Sequence, residues 1–287
     1  MNLKYLKVFF GILLFSFLLV RFDYSLVLET IKLSDTRYIV IGFSLFFISG
    51  IFEVYKFLAL LSDRFTFSEA LSITYSGLFL NNFMPTNIGG DAYRILKLAK
   101  KNSYRMASII VIIDRLNGLA LIFLLSLLAL YYRPISLSTL NTYFDFDLSV
   151  VFLMIILFLI VFFILIVFKY AKEVFNDIKL ISMSRYINSI MHSMFFQVSR
   201  IVGIYFFVLS VGGSINIIDI AVILSIVLII SLIPISIGAL GVREAAFVAG
   251  FSIYSIDPVS GLAIAILTRV FLFLQAIVGY FIFSQGE

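Results

Sequence analysis

Apolar runs about as long as a bilayer crossing, separated by short polar connections, fill most of this chain. A hydrocarbon core takes about 20 apolar residues per helix. Runs that approach or exceed this length lie at 5–21, 38–61, 67–84, 106–132, 148–168, 190–211, 217–235 and 260–283, with a shorter apolar stretch at 245–256. This pattern predicts an all-α polytopic membrane protein of about eight hydrophobic helical segments, forming a single transmembrane domain over 1–287. Lys4 and Lys7 before the run Val8–Val20 imitate a signal peptide, but Arg21-Phe22-Asp23 is a poor cleavage context, so the run is read as a retained first helix.

The interruptions inside these runs carry the most information. One phrase occurs twice, Pro85-Thr86-Asn87-Ile88-Gly89 followed by Arg94 and Pro234-Ile235-Ser236-Ile237-Gly238 followed by Arg243, both of the form P-x-[N/S]-I-G-x4-R. Proline and glycine break helices, and arginine is costly in hydrocarbon, so the phrase predicts two matched, broken helical hairpins around a buried polar site. The segment after each hairpin carries a further arginine, Arg115 and Arg269. Chance recurrence in an Ile- and Ser-rich chain is the competing explanation.

Lysine and arginine placement suggests sidedness, because cytoplasmic connections are enriched in both. Lys4 and Lys7, the cluster Arg94, Lys97, Lys100, Lys101 and Arg105, and the group Lys169, Lys172, Lys179 and Arg185 can all face the cytoplasm at once. The connections 22–37, 133–147, 212–219 and 250–259 then lie on the opposite side. The two halves, about 1–132 and 148–287, become inverted-topology repeats, each with a broken, re-entrant or fully crossing hairpin, and both termini are cytoplasmic. A prokaryotic plasma membrane is the expected location.

Composition sharpens this picture. At 62% hydrophobic and 13% charged residues, with mean hydropathy +1.15, the chain is far from the roughly one-quarter charged residues of soluble domains. It has no cysteine, which removes disulfides, thiolate metal sites and cysteine nucleophiles. A single histidine, His192, leaves little for zinc. No Walker loop, H-E-x-x-H or plausible serine–histidine pair is present, so the residues call for no catalytic group, metal or cofactor.

Candidate binding residues cluster at the two breaks. Asn87, Gly89, Gly90, Asp91 and Arg94 form the first group, since glycines let the backbone approach a ligand and a helix starting near Asp91 directs free N–H groups toward the break. The structural alternative makes Asp91 a helix cap paired with Arg94. Ser236, Gly238, Arg243 and Glu244 form the second group; Arg243 and Glu244 point about 100° apart on a helix and so can find separate partners. Asp114, Arg115 and Arg269 complete the set, with Glu53 toward the end of 38–61. Arg94, Arg115, Arg200, Arg243 and Arg269 outnumber Asp91, Asp114 and Glu244, and a buried surplus of guanidinium suits a phosphate guest. Snorkelling or carbonyl bonding by Arg200 and Arg269 is the plainer alternative.

Taken in order, Pro85-x-x-Ile88-Gly89-Gly90-Asp91-x-x-Arg94, Asp114-Arg115-Leu116-Asn117-Gly118-Leu119 and Ile233-Pro234-Ile235-Ser236-Ile237-Gly238-Ala239-Leu240-Gly241-Val242-Arg243-Glu244 resemble the lysylphosphatidylglycerol synthase transmembrane-region family. The resemblance spans most of the chain and implies an integral membrane, flippase-like domain that moves a modified phospholipid, such as aminoacylated phosphatidylglycerol, between leaflets. In bifunctional members a separate cytoplasmic domain makes that lipid, and synthase activity is not carried over to this chain.

The expected function is therefore lipid transport by alternating access, with Arg94, Arg115, Arg243 and Arg269 on a headgroup phosphate and the acyl tails left in the bilayer. Asp91, Asp114 and Glu244 would pair with these arginines in the empty state. The rivals are a membrane-embedded transferase or hydrolase on a polyprenyl- or glycolipid phosphate, and an accessory membrane subunit of a glycosyltransferase. The expected partners are membrane phospholipids or a lipid-linked substrate and a separate synthase or glycosyltransferase, with no nucleic acid.

Overall fold

A computed structural model describes residues 3–84, 89–132, 181–232 and 236–285. The expected helix at 148–168, Asn87 and the prolines of both repeated phrases lie outside the described residues. Among the described residues ten α-helices follow in order: α1 (Leu3–Arg21), α2 (Tyr24–Leu33), α3 (Thr36–Leu60), α4 (Phe67–Phe83), α5 (Gly89–Ala99), α6 (Tyr104–Tyr132), α7 (Met183–Ser210), α8 (Asp219–Leu232), α9 (Val242–Ile253) and α10 (Pro258–Gln285). Among the described residues there are no strands.

The eight expected hydrophobic segments are met only in part among the described residues. Four described helices, α3, α6, α7 and α10, are long and apolar enough to cross a membrane, and the α1–α2 pair, bent by 76°, makes a fifth if counted as one span. At 1.5 Å per residue α4 and α8 reach only about 26 and 21 Å, short of a hydrocarbon core of about 30 Å. Each stops at its break and is followed there by a shorter helix, α5 or α9.

The stretch 22–37, expected as a connection, is largely helix α2. Asp23 caps its start by accepting from the Ser25 N–H at 3.0 Å, and Val27 is buried in an apolar cluster with Leu262 and Ala263 of α10. Its charged Glu29 and Lys32 disguise a helix with one apolar side.

Local sequence sets the other helix starts. Thr66 and Glu69 form a reciprocal capping box that opens α4, with Thr66 N–H donating to Glu69 Oε2 at 3.0 Å. The Glu69 carboxylate also accepts from Lys101 Nζ at 2.6 Å, tying the start of α4 to the end of the α5 hairpin. That ammonium, aided by the Thr66 N–H, holds the Glu69 carboxyl below the ordinary carboxylate range. Asp35 caps α3, and its own N–H donates to the Ser210 carbonyl at the end of α7 at 2.9 Å.

Helices α3 and α7 run antiparallel and share the most extensive helix contact among the described residues. Tyr38 meets Phe206, Phe46 stacks on Phe207, and Phe52 stacks on Phe195 along the pair. Around it, α4 packs on α10 and α6 on α8, so the last helix of each half lies against the first hairpin helix of the other. One apolar core, containing Phe57, Leu98 and Ile110, joins α3 to α6. A second, containing Phe207, Phe247 and Phe271, joins α3 and α6 to α7–α10. Exposed Phe17, Leu127, Met194 and Phe281 belong to a broad apolar exterior, as expected of helices bathed in lipid.

The α3–α7 contact depends on small residues. A β-carbon at Gly42 would stand 2.5 Å from Phe207 Cε1 and 3.1 Å from the Gly203 carbonyl oxygen. Gly42→Val is expected to destabilise the fold by about 1–3 kcal/mol. Thermal unfolding in detergent, followed by circular dichroism because the chain has no tryptophan, reads this as a lowered midpoint. An unchanged midpoint would show that α3 and α7 can separate without loss.

Candidate functional site

The first break is built on close backbone packing. Met84 N–H closes α4 onto the Leu80 carbonyl at 2.8 Å, and the Asn81 side-chain oxygen reaches across to accept from Gly90 N–H, also at 2.8 Å. Gly90 lies against the Gly77 carbonyl and the Asn81 amide, leaving no room for a side chain. Asn81 thus satisfies one of the amide groups that the start of α5 leaves open.

The charged residues of this half pair across helices rather than within α5. Asp91 pairs with Arg115 of α6 at 2.5 Å, and among the described residues no Asp91–Arg94 ion pair is formed. Arg94 turns toward α6, 3.4 Å from Asp114, with a second long contact to the Thr74 carbonyl and its guanidinium over the Phe57 ring. Asp114 also meets Lys56 of α3 at 2.9 Å. Lys56, Arg94 and Asp114 are all nearly sealed from the exterior.

The second break is closed by a side chain from α10. A short 3-10 turn, Ile237–Ala239, leads into α9, with φ of +57° at Gly238, +53° at Ala239 and +77° at Gly241. Arg269 donates to the Gly238 carbonyl at 2.9 Å and to the Ala239 carbonyl at 3.0 Å, while its Nε bonds Glu244 Oε1 at 2.5 Å. The other Glu244 oxygen accepts from the Gly241 N–H at 2.7 Å. One ion pair therefore occupies three backbone groups that a broken helix would leave open in hydrocarbon. Ser236 is buried beside the turn, against Gly11 of α1.

The two breaks touch. A β-carbon on Gly238 would lie 2.8 Å from the Asn82 carbonyl at the end of α4, so only glycine permits this approach. Beside the junction is a cavity of about 230 Å³, lined from both halves. Lys56, Arg94, Arg115, Arg200 and Arg243 contribute five cationic groups to its wall, against Glu53 and Asp114. With Asp91 counted as the counter-ion of Arg115, two positive charges remain in excess.

Those cations are held in two ways. Lys56, Arg94 and Arg115 face carboxylates. Arg200 instead lies between the rings of Phe46 and Phe196, 5.9 and 5.3 Å from their centroids, and Arg243 reaches the Ser231 hydroxyl at 3.5 Å. Among the described residues neither has a carboxylate within ion-pair distance. An aromatic face steadies a guanidinium without cancelling its charge.

Of the residues expected at the site, Arg94, Asp114, Arg115, Gly238 and Arg243 line the cavity. Asp91, Gly89, Gly90 and Ser236 stand behind it in the hairpin packing, whereas Glu244 and Arg269 are committed to the second break. Lys56 was not foreseen, although its i,i+3 spacing from Glu53 puts both on one face of α3. Arg200 was foreseen only as part of the charge surplus. The family model described as lysylphosphatidylglycerol synthase TM region matches residues 5–279. No curated protein and no solved structure gave a significant match.

Breaking a buried ion pair by removing one partner typically costs about 3–5 kcal/mol. Arg269→Met is therefore expected to lower the detergent unfolding midpoint sharply, with Arg243→Gln changing it far less. Equal effects of the two substitutions would contradict the division between clamp and cavity.

Proposed function

The chain belongs to the lysylphosphatidylglycerol synthase transmembrane-region family and is an integral membrane protein, and from that premise we propose that it carries the headgroup of an anionic or aminoacylated phospholipid from one leaflet to the other. The observation that carries this reading is the pair Arg200 and Arg243, cationic groups on the cavity wall without a carboxylate partner among the described residues. Charge in a low-dielectric interior is costly unless compensated, and a phosphodiester is the guest whose geometry a guanidinium matches with two parallel hydrogen bonds. A cavity of about 230 Å³ suits a headgroup rather than a whole lipid. The acyl chains remain outside, against the apolar exterior.

Alternating access follows from an inverted repeat of α3–α6 and α7–α10. Support comes from the matched element order, the reciprocal packing of α4 on α10 and α6 on α8, and the meeting of the two breaks at the cavity. In this scheme the phosphate arrives on Arg200 and Arg243, and Asp114 and Asp91 keep Lys56, Arg94 and Arg115 compensated until the headgroup displaces them. The basic end of α5, with Lys97, Lys100 and Lys101, faces the cytoplasm and its anionic lipids.

Leaflet exchange of headgroup-labelled anionic phospholipid in liposomes, followed by quencher protection, tests the transport reading. Arg200→Gln and Arg243→Gln should each slow exchange at least about tenfold, in line with losing a charge-assisted hydrogen bond worth about 1.5–3 kcal/mol. Wild-type exchange in both variants would sink it. Sidedness is tested separately, since the absence of cysteine makes single-cysteine labelling clean. Lys100→Cys should react with an impermeant maleimide only from the cytoplasmic face, and labelling from outside would reverse the orientation.

A further inference from the structure

The hydrogen-bonding capacity of the cavity wall is as unbalanced as its charge. Among the described residues Arg200 Nε is sealed from the exterior without a hydrogen-bond partner, and the Arg243 guanidinium reaches only the Ser231 hydroxyl, at 3.5 Å. The Phe196 ring carries both Lys56 Nζ and the Arg200 guanidinium, each 5.3 Å from its centroid, and so gathers two cations onto one side chain. Lys56 is answered by Asp114 at 2.9 Å, whereas Arg200 has a second ring, that of Phe46. A guanidinium held by ring faces keeps its charge and its N–H donors for other acceptors.

The rest of the described wall supplies no counter-charge for this pair. Helices α4, α8 and α10 contribute Asn81, Ser231 and Gln275 but no charged side chain, and behind the wall Arg269 and Glu244 compensate each other. The excess of two positive charges already includes Glu53 and Asp114 as formal negative charges and Asp91 as the counter-ion of Arg115. A phosphodiester has one negative charge and two free oxygens, so it answers one of the two. A phosphomonoester has three terminal oxygens, a second pKa of about 6 and a charge of about −1.5 to −2 at neutral pH, so it answers both. On the reading of the cavity as a headgroup site, we infer that its preferred guest is a lipid phosphomonoester, a terminal phosphate that Arg200 and Arg243 grip together. Lipids whose phosphate is doubly esterified leave one positive charge over on the wall and bind more weakly.

Binding of three probes to the purified protein in detergent tests this: dioctanoyl phosphatidate, dioctanoyl phosphatidylglycerol and inorganic phosphate. At pH 8 the phosphatidate should bind at least about tenfold more tightly than the phosphatidylglycerol, which has the same tails and a single charge. Lowering the pH from about 8 to about 5 protonates the monoester, so its Kd should weaken toward about tenfold per unit below about pH 6, while that of the diester stays flat. Replacing both arginines, Arg200→Gln with Arg243→Gln, should abolish the preference. Inorganic phosphate offers the dianion without tails and should compete far less well.

Equal affinity for the two lipids at pH 8, or a monoester affinity that does not fall with pH, overturns the inference. A pH dependence shared by the diester overturns it too, because it then belongs to the protein and not to the guest. Inorganic phosphate binding as tightly as phosphatidate makes the guest a free ion and removes the lipid. Were the double variant to misfold, the wild-type ratio and its pH profile decide alone. Lipid binding that needs Arg200 and Arg243 but shows no preference removes the phosphomonoester and leaves the headgroup site standing. Failure of both lipids to bind the wild type, or undiminished binding of both in the double variant, removes the headgroup site and this inference with it.

Discussion

Arg269 makes the second break tolerable, and the cavity depends on that break. A helix interrupted in hydrocarbon exposes carbonyl and amide groups that water cannot reach. Arg269 takes two of the carbonyls, and its partner Glu244 takes an amide, so the turn at Gly238 is held by side chains rather than by a continuous helix. Once closed in this way, the turn can press its glycine against Asn82 of the other hairpin. Arg243, one residue before Glu244, is then left on the cavity side of α9. The Arg269–Glu244 pair holds the turn, while the neighbouring Arg243 lines the cavity.

The wall of the cavity is electrostatically uneven for a related reason. Asp114 and Asp91 compensate the cations contributed by Lys56, Arg94 and Arg115, which limits the cost of burying them. Arg200 has rings instead, and Arg243 a hydroxyl. The first arrangement carries its own counter-charges, whereas the second is the one to which the proposed function assigns an anion. A guest entering this space therefore meets a gradient from uncompensated to compensated positive charge, all within one small volume.

Much of this was legible along the chain. Broken hairpins declare themselves through Gly89-Gly90 and Gly238, because few other residues survive such backbone approaches, and buried arginines stand out in apolar sequence. Helix α2 was hidden because Glu29 and Lys32 resemble a solvated connection, and only the α10 surface under Val27 reveals its apolar side. The partners of Asp91, Glu244 and Arg243 could not be read, since each choice depends on which helices pack together. Arg269 is 25 residues beyond Glu244, and Asp91 is 24 before Arg115. Lys56 was obscured by ordinary context: a lysine near the end of a long helix reads as interfacial until α6 is seen to bring Asp114 to it.

The antiparallel α3–α7 pair has a mechanical consequence. Fastened from the Asp35–Ser210 hydrogen bond to the Tyr55–His192 stack, it resembles a beam with little freedom of its own. Glu53, Lys56 and Arg200 are mounted on that beam, while Arg94 and Arg243 ride on the hairpins beside it. Any travel of a hairpin along the beam alters the spacing between the two sets of charges. Coulomb energy varies inversely with separation, so widening a gap from about 6 to about 9 Å reduces a repulsion by roughly a third. On the proposed transport reading, the grip on a charge would be set by the position of a hairpin against this rail.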